Sequence, residues 1–276
     1  MKNKILIIIA HFIRIIKLPH PIKYLFYLVL KGRTLIVDSV SFKKPMFKDL
    51  NIGYFIDYWI FMDGLYEKQC LNYLKKRLKS GGAFLDVGAH IGNHTIGLSD
   101  KFRHVYAFEP EKQNYRKLVR NIRINSKKNI KAVKCAVSDS EGTKWLNIIE
   151  NENCGHSLLV NYRGKTEKVK VVTLDSFVKS IKISRINFMK IDVEGAELKV
   201  LQGAVKIIKK FHPTIMIELN RPVLQSTGNS LEELYSLLTS FGYNCYKFYR
   251  KNLVRIYQKD LKEIYYENAL FLHSSS

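Results

Sequence analysis

No C-x-x-C pair occurs in the 276-residue sequence, and none of Cys70, Cys135, Cys154 and Cys245 is spaced with a histidine as a metal ligand would be. A disulfide framework and a zinc module are therefore not expected, and reduced thiols of a cytoplasmic chain are. No apolar run reaches the roughly 20 residues that span a bilayer. The two N-terminal runs, Ile5 to Ile13 and Ile22 to Leu30, are separated by Pro19-His20-Pro21 and interrupted by Arg14, Lys17 and Lys23. A signal peptide is not expected either, because no small-residue cleavage site follows the first run. Internal repeats and low-complexity tracts are lacking. Acids are scarce: 24 Asp and Glu stand against 46 Lys and Arg, a net charge of +22. An excess of that size implies an anionic partner such as nucleic acid, a phosphorylated sugar or a membrane surface. The plainer source is a Lys- and Ile-rich composition along the whole chain, as AT-rich genomes encode. With 46% hydrophobic and 25% charged residues, the chain suits one α/β domain with an extension.

What is present centres on Ala83 to Thr95, AFLDVGAHIGNHT, an apolar run that ends at Asp86 and breaks into a turn with Gly88 and Gly92. Apolar residues bounded by glycines predict a buried strand turning sharply into a helix, with backbone open to a ligand. A dinucleotide fingerprint needs G-x-G-x-x-G, but His90 and Asn93 stand at its second and third glycines. The remaining Asp-x-Gly-x-x-x-Gly, with an acid ahead of the turn, suits a ligand carrying an ammonium group, and S-adenosylmethionine is such a ligand. His90 and His94 are expected to shape this loop. A second strand, HVYAFEP, ends in Glu109, whose carboxylate can accept from both hydroxyls of a ribose. A third, Ile130 to Val137, ends in Ser138-Asp139, where Asp139 would accept from an adenine amino group, although Ser-Asp-Ser-Glu-Gly is also an ordinary turn.

Along the rest of the chain, Ile5 to Leu18 as a helix gathers Lys4, His11, Arg14 and Lys17 towards one side. Such a helix either lies in a membrane interface or caps the catalytic domain. Arg33 to Leu65 reads as short strands or a lid, so residues 1–63 form an extension and 64–276 the main domain. Gly64 to Ser80 reads as a helix stopped by Gly81-Gly82, and Lys112 to Asn125 as an amphipathic helix. Trp145 to Val160 suggests a hairpin and Val169 to Val178 a strand. Ile186 to Asp192 is a central strand followed by a helix over Glu194 to Ile208. Pro213 to Leu219 is the next strand, Leu231 to Phe241 a helix, and Tyr243 to Arg250 with Ala269 to His273 a closing antiparallel pair. Strands alternating with helices make a doubly wound sheet, whose ligand lies beyond the carboxyl ends of the strands. That collects Asp86, Glu109, Asp139, Asp192 and Glu218 on one rim.

INFMKIDVEGAELKVLQGA, from Ile186 to Ala204, together with FLDVGAHIGNHT, VYAFEP, VVTLDSF and PTIMIELN, resembles the FkbM family of S-adenosylmethionine-dependent methyltransferases. The resemblance runs from about Gly64 to His273. It implies a class I (Rossmann-like) methyltransferase fold of about seven strands with an antiparallel last strand, the cofactor over the first strand's turn, and an acceptor hydroxyl on a sugar or natural product. Two features depart from the family: His90 stands where Asn is common, and Asn93-His94 where aromatics are frequent.

Methyl transfer from a sulfonium is an in-line displacement, so the protein supplies alignment. An alcohol is a poor nucleophile at neutral pH, which calls for a base or a metal. Asp192 and Glu194 are the first candidates for base or orienting group, with Glu218 next. Glu197 reads as an acid favoured by the helix dipole. His156, in the polar loop NENCGHSLL, has the ordinary pKa of a base, though a solvated loop histidine is the commoner outcome. Asp192, Glu194, Glu218 and His156 form a set that suits magnesium, but the spacing does not demand it, and no metal is assigned. Rival readings are an RNA 2′-hydroxyl methyltransferase using Lys190 beside Asp192, and a membrane-surface binding protein with a vestigial pocket. No nucleic-acid module is visible for the first, and intact Asp86, Glu109 and Asp192 oppose the second. VEGAE is not the Pro-Pro-aromatic signature of an amine methyltransferase. The expected protein is a cytoplasmic O-methyltransferase acting on a sugar hydroxyl of a surface polysaccharide or glycolipid precursor. Its N-terminal helices would hold it at the inner face of an anionic membrane.

Overall fold

The computed structural model describes residues 2–16, 18–38, 45–149, 155–160, 164–249 and 252–275. Lys17, the stretch 39–44 within the expected lid, the tip of the expected hairpin at 150–154 with Cys154, and Arg250 lie outside them.

The N-terminal runs form α1 (Lys2–Ile15) and α2 (His20–Leu30), with Pro21 in the first turn of α2, where its missing N–H has no intrahelical acceptor to lose. Each helix divides into two faces. Ala10, Ile13, Tyr27 and Leu30 enter a core with Tyr58, Phe61, Phe84 and Phe188, so this extension covers one side of the main sheet. Ile8, Phe12, Ile15 and Leu25 stay more than 60% exposed. Lys23, buried on α2, pairs with Asp63 at 2.6 Å, and Tyr58 donates to its carbonyl.

The extension holds one short antiparallel pair, β1 (Ile36–Val37) with β2 (Leu50–Asn51), but GYFIDYWIFMDG is a helix, α3 (Phe55–Asp63), and not a strand. Tyr58, Trp59, Ile60, Phe61 and Met62 are all buried. A helix packed on every side carries no polar stripe, so its sequence lacks the 3.6-residue period that would reveal it. Gly64 ends it in the left-handed conformation, and α4 (Lys68–Arg77) leads to the sheet.

The parallel strands are β3 (Ala83–Val87), β4 (His104–Phe108) and β5 (Ile130–Val133), linked through α5 (Asn93–Leu98) and α6 (Lys112–Ile124). All five residues of β3 are buried, as a strand covered on both faces requires. The expected third strand breaks after Val133. Ala136–Val137 leaves the main sheet as β6 and joins β7 (Gly142–Ile148) and β8 (Lys165–Val172) in a separate three-stranded sheet of order β6-β8-β7. The partner of β7 is therefore β8, and among the described residues only an Asn147–Ser157 bridge remains of the expected hairpin. The strand expected to run to Val178 stops at Val172. Thr173 then caps α7 (Leu174–Ser180), its side chain accepting from the Ser176 N–H at 3.2 Å.

β9 (Ile186–Ile191) follows, and the single helix expected after it is two, α8 (Glu197–Gln202) and α9 (Val205–Phe211). The break falls at Gly203, where a Cβ would overlap the Ser138 carbonyl oxygen. β10 (Thr214–Asn220), α10 (Arg221–Ser226) and α11 (Leu231–Ser240) precede β11 (Tyr243–Tyr249), β12 (Asn252–Ile256) and β13 (Tyr266–His273). The main sheet runs β12-β11-β13-β10-β9-β3-β4-β5. β13 is antiparallel to both neighbours, as the family resemblance implies. The eighth strand is β12, an edge hairpin added to β11.

Candidate active site

Because β3, β4, β9 and β10 run parallel, their carboxyl ends meet on one rim, and a cleft of about 560 Å³ opens there. Gly88 starts its floor with φ +79°, its N–H donating to the Phe108 carbonyl, and a Cβ there would overlap the Asp192 carbonyl oxygen. Gly92, at φ +96°, lies under Leu118. His90 adopts a left-handed conformation that aims its N–H at Glu109 Oε2, 2.8 Å away. Glu109 also accepts from the Glu111 N–H at 3.0 Å. Burial pushes its pKa up to about 8, against the downward pull of these two N–H groups.

Asp86 is fully buried beneath the cleft instead of on its wall. One oxygen accepts from Thr95, and Oδ1 has no partner among the described residues. Asn93 reaches the wall, but its side-chain amide is engaged by the Tyr66 backbone, accepting from the N–H at 2.9 Å and donating to the carbonyl at 3.1 Å. Asp139 is not brought to the cleft. Its oxygens face Lys199 at 3.0 Å and Lys144 at 3.7 Å. Burial would raise its pKa, yet bonds from Lys199, Ser138 and Ser140 lower it to about 2. An apolar wall of Phe108, Ala136, Val137 and Leu146 stands where Asp139 was expected.

At the other end, Asp192, Glu194 and Glu218 converge, one oxygen from each lying within 4.8 Å of the others. Lys190 sends Nζ to Asp192 Oδ2 at 2.9 Å and to the Gly88 carbonyl at 3.1 Å. Burial opposes ionisation of both partners, and each charge overcomes it in the other, so Asp192 titrates low and Lys190 high. Burial and then Asp192 raise Glu194 to about 8 and Glu218 to about 9. Glu218 takes a hydrogen bond from Tyr266. Glu197 opens α8 as expected of a first-turn acid, and it also accepts from the Val193 and Gly195 N–H groups. Ser157 Oγ donates to the Glu194 carbonyl at 2.6 Å, and Thr227 to that of Gly195 at 3.1 Å, fixing the loop from both sides. His156 lines the cleft, and its Nδ1 accepts from the Ile149 N–H at 3.2 Å. In the neutral ring that bond puts the proton on Nε2, which is then a donor towards the cleft.

Sequence reasoning missed Tyr66, Glu67, Tyr266 and Asn268, which also line the cleft. Glu67 lies 3.2 Å from His94 Nε2 and accepts from Asn268. The available signal was the alternation of YENALFLH, which puts Tyr266 and Asn268 on one face once the strand is begun at Tyr266. A second cavity shares Tyr66, Glu67, Tyr266 and Asn268 with the first and continues along Trp59, Tyr73, Lys68 and Lys76.

A family model described as the methyltransferase FkbM domain matches residues 86–245, more than half of the chain and most of this site. The chain belongs to the FkbM methyltransferase family. Methyltransferase sdnD of Sordaria araneosa is 30% identical, over 46% of this chain and 61% of that protein. Hexuronic acid methyltransferase AglP of Haloferax volcanii is 26% identical, over 60% of this chain and 67% of that protein. The crystal structure of methyltransferase FkbM from Methylobacillus flagellatus shares the fold, with TM-score 0.51 and 18% identity over 76% of this chain and 48% of that one. The chain thus spans less than two thirds of the Sordaria protein and about half of the Methylobacillus chain.

The methyl donor of an FkbM methyltransferase is S-adenosylmethionine, and this cleft fits it. Each Glu109 oxygen accepts one N–H and keeps a lone pair for a ribose hydroxyl. The wall from Phe108 to Leu146 suits a flat base, Gly88 leaves the floor open, and the buried charge of Asp86 lies below it. No helix among the described residues is long and apolar enough to cross a membrane.

Proposed function

We propose that this FkbM methyltransferase methylates a hydroxyl of a sugar or glycoconjugate, such as a surface polysaccharide or glycolipid precursor. The observation that carries the reading is the triad Asp192, Glu194 and Glu218 in the first cleft, which shares Tyr66, Glu67, Tyr266 and Asn268 with the cavity lined by Trp59 and Tyr73. Bound S-adenosylmethionine supplies an electrophilic methyl group on a sulfonium. Glu109 holds the ribose, and Lys190 keeps Asp192 ionised so that it accepts a hydrogen bond from the acceptor hydroxyl. Glu194, a stronger base than an ordinary carboxylate, receives the proton as the C–O bond forms. Aromatic rings along the second cavity offer apolar faces to sugar C–H groups, and Lys68 and Lys76 offer charge to an anionic acceptor. The relative named for hexuronic acid methylation supports this acceptor class.

The same reading gives the chain a partner at its N-terminal face. The outward side chains of α1 and α2, with Lys4, Lys31 and Arg33 exposed around them, suit peripheral binding to an anionic bilayer at the cytoplasmic side. The deciding experiment for catalysis is calorimetric titration of S-adenosylmethionine into wild type and Glu109→Ala, with NADH as control. It is followed by transfer of labelled methyl to a panel of glycans. Binding lost in the variant, with label in a glycan, supports the reading; label in RNA and none in glycans overturns it.

A further inference from the structure

Asp192 directly follows β9, Glu194 sits in the turn after it, and Glu218 lies on the neighbouring β10, so three carboxylates reach one point from separate backbone positions. Oxygens of one octahedral shell with bonds of about 2.1 Å lie about 3.0 Å apart when adjacent and about 4.2 Å apart when opposite, so three oxygens within 4.8 Å of one another need only a small contraction to share an ion.

Acidic clusters of that size occur without ions, and a separate observation distinguishes this one. Glu218 is 8% exposed, and its Oε2 is buried with no hydrogen-bond partner among the described residues. The Tyr266 hydrogen bond to the carboxyl leaves this oxygen unserved. A buried carboxylate oxygen without a donor is unfavourable, and a ligand that completes it relieves the deficit. The charge points the same way. Lys190 is already engaged with Asp192 and the Gly88 carbonyl. A cation entering the triad displaces the protons held by Glu194 and Glu218, and the three carboxylates against the Lys190 ammonium then leave two negative charges, which one dication neutralises. An all-oxygen donor set selects magnesium, manganese or calcium over zinc.

We propose that Asp192, Glu194 and Glu218 bind a divalent cation of the magnesium and manganese class at the acceptor end of the cleft. Three protein oxygens leave about three positions of an octahedral shell for acceptor oxygens and water. This placement rests on the methyl-transfer reading; the cation site itself does not. On the bound acceptor, the O–H bond breaks and its proton passes to the Glu194 oxygen that does not ligate the cation. The oxygen lone pair forms the new C–O bond, and the S–CH3 pair returns to sulfur, leaving a thioether.

The test is titration of Mn²⁺ into the full chain without methyl donor, following free Mn²⁺ by electron paramagnetic resonance, with S-adenosylmethionine binding measured separately by calorimetry. One saturable Mn²⁺ per chain is expected, weakened at least about tenfold in Glu218→Gln and in Asp192→Asn. Asp100→Asn, an exposed acid paired with Lys127, should leave it unchanged. Two variants are used so that misfolding of one, seen as a lost thermal transition, leaves the other decisive. Wild type that binds the methyl donor but no Mn²⁺ overturns the cation site and leaves methyl transfer standing. Mn²⁺ held equally by wild type and both variants overturns it too. Mn²⁺ bound in this manner with no donor binding keeps the site and removes the donor reading.

Discussion

Gly88 and Asp192 touch across β3 and β9 so closely that the Asp192 carbonyl oxygen occupies the space a Cβ on Gly88 would need. The glycine turn and the loop that carries Asp192 are therefore packed directly against each other. Gly88→Ala should clash there and also place alanine at φ +79°, costing about 1 to 3 kcal/mol or more. The expected result is a lower urea midpoint together with loss of S-adenosylmethionine binding. A variant that melts like wild type contradicts this packing.

Asn93 binds the Tyr66 backbone through both ends of its amide. Asn93→Ala leaves two backbone groups without those partners, at a cost of about 1 to 3 kcal/mol. Denaturant unfolding should show a shifted midpoint with an unchanged slope. Asn93→Asp, which keeps the acceptor and loses the donor, should fall between the two.

Glu109 and Glu197 are raised by burial to about 8 and about 7, from ordinary values of 4.5. The folded chain thus holds more protons than the unfolded chain across that window, and its stability falls as pH rises from about 4.5 to about 8. Urea midpoints of the free protein should decline over this range, and Glu109→Gln should flatten the decline. A midpoint that climbs with pH refutes the buried state of these carboxyls.

Deleting residues 1–32 is a poor probe of membrane binding, because Tyr27 and Leu30 belong to the core. Ile8→Ser, Phe12→Ser and Leu25→Ser change only the exposed face. Together they should abolish co-sedimentation with anionic vesicles while each shifts stability by no more than about 0.5 kcal/mol. Wild type that stays in the supernatant removes the membrane partner.

The legible parts of the sequence were those in which one local pattern decides the structure. AFLDVG could only be a buried strand before a turn, and Glu109 followed because the next strand ends in an acid. Four other features depended on tertiary surroundings. α3 was hidden because burial on all sides removed its stripe. Gly203 gave no sign of a helix break, since the contact that demands it is with Ser138. Asp139 looked like its counterparts on the rim, but Lys199, sixty residues on, draws it away. Tyr66 and Tyr266 meet in the cleft from opposite ends of the chain, and no local spacing relates them.

Tyr66, Glu67, Tyr266 and Asn268 line both cavities, whereas the donor turn is built from residues between Val87 and Glu109. On the proposed reading, the turn that holds the donor's ribose and the residues that face the acceptor are encoded in separate stretches of the chain. A chimera that exchanges residues 55–67 and 266–268 with those of a relative should inherit the relative's choice of acceptor and keep its own methyl donor.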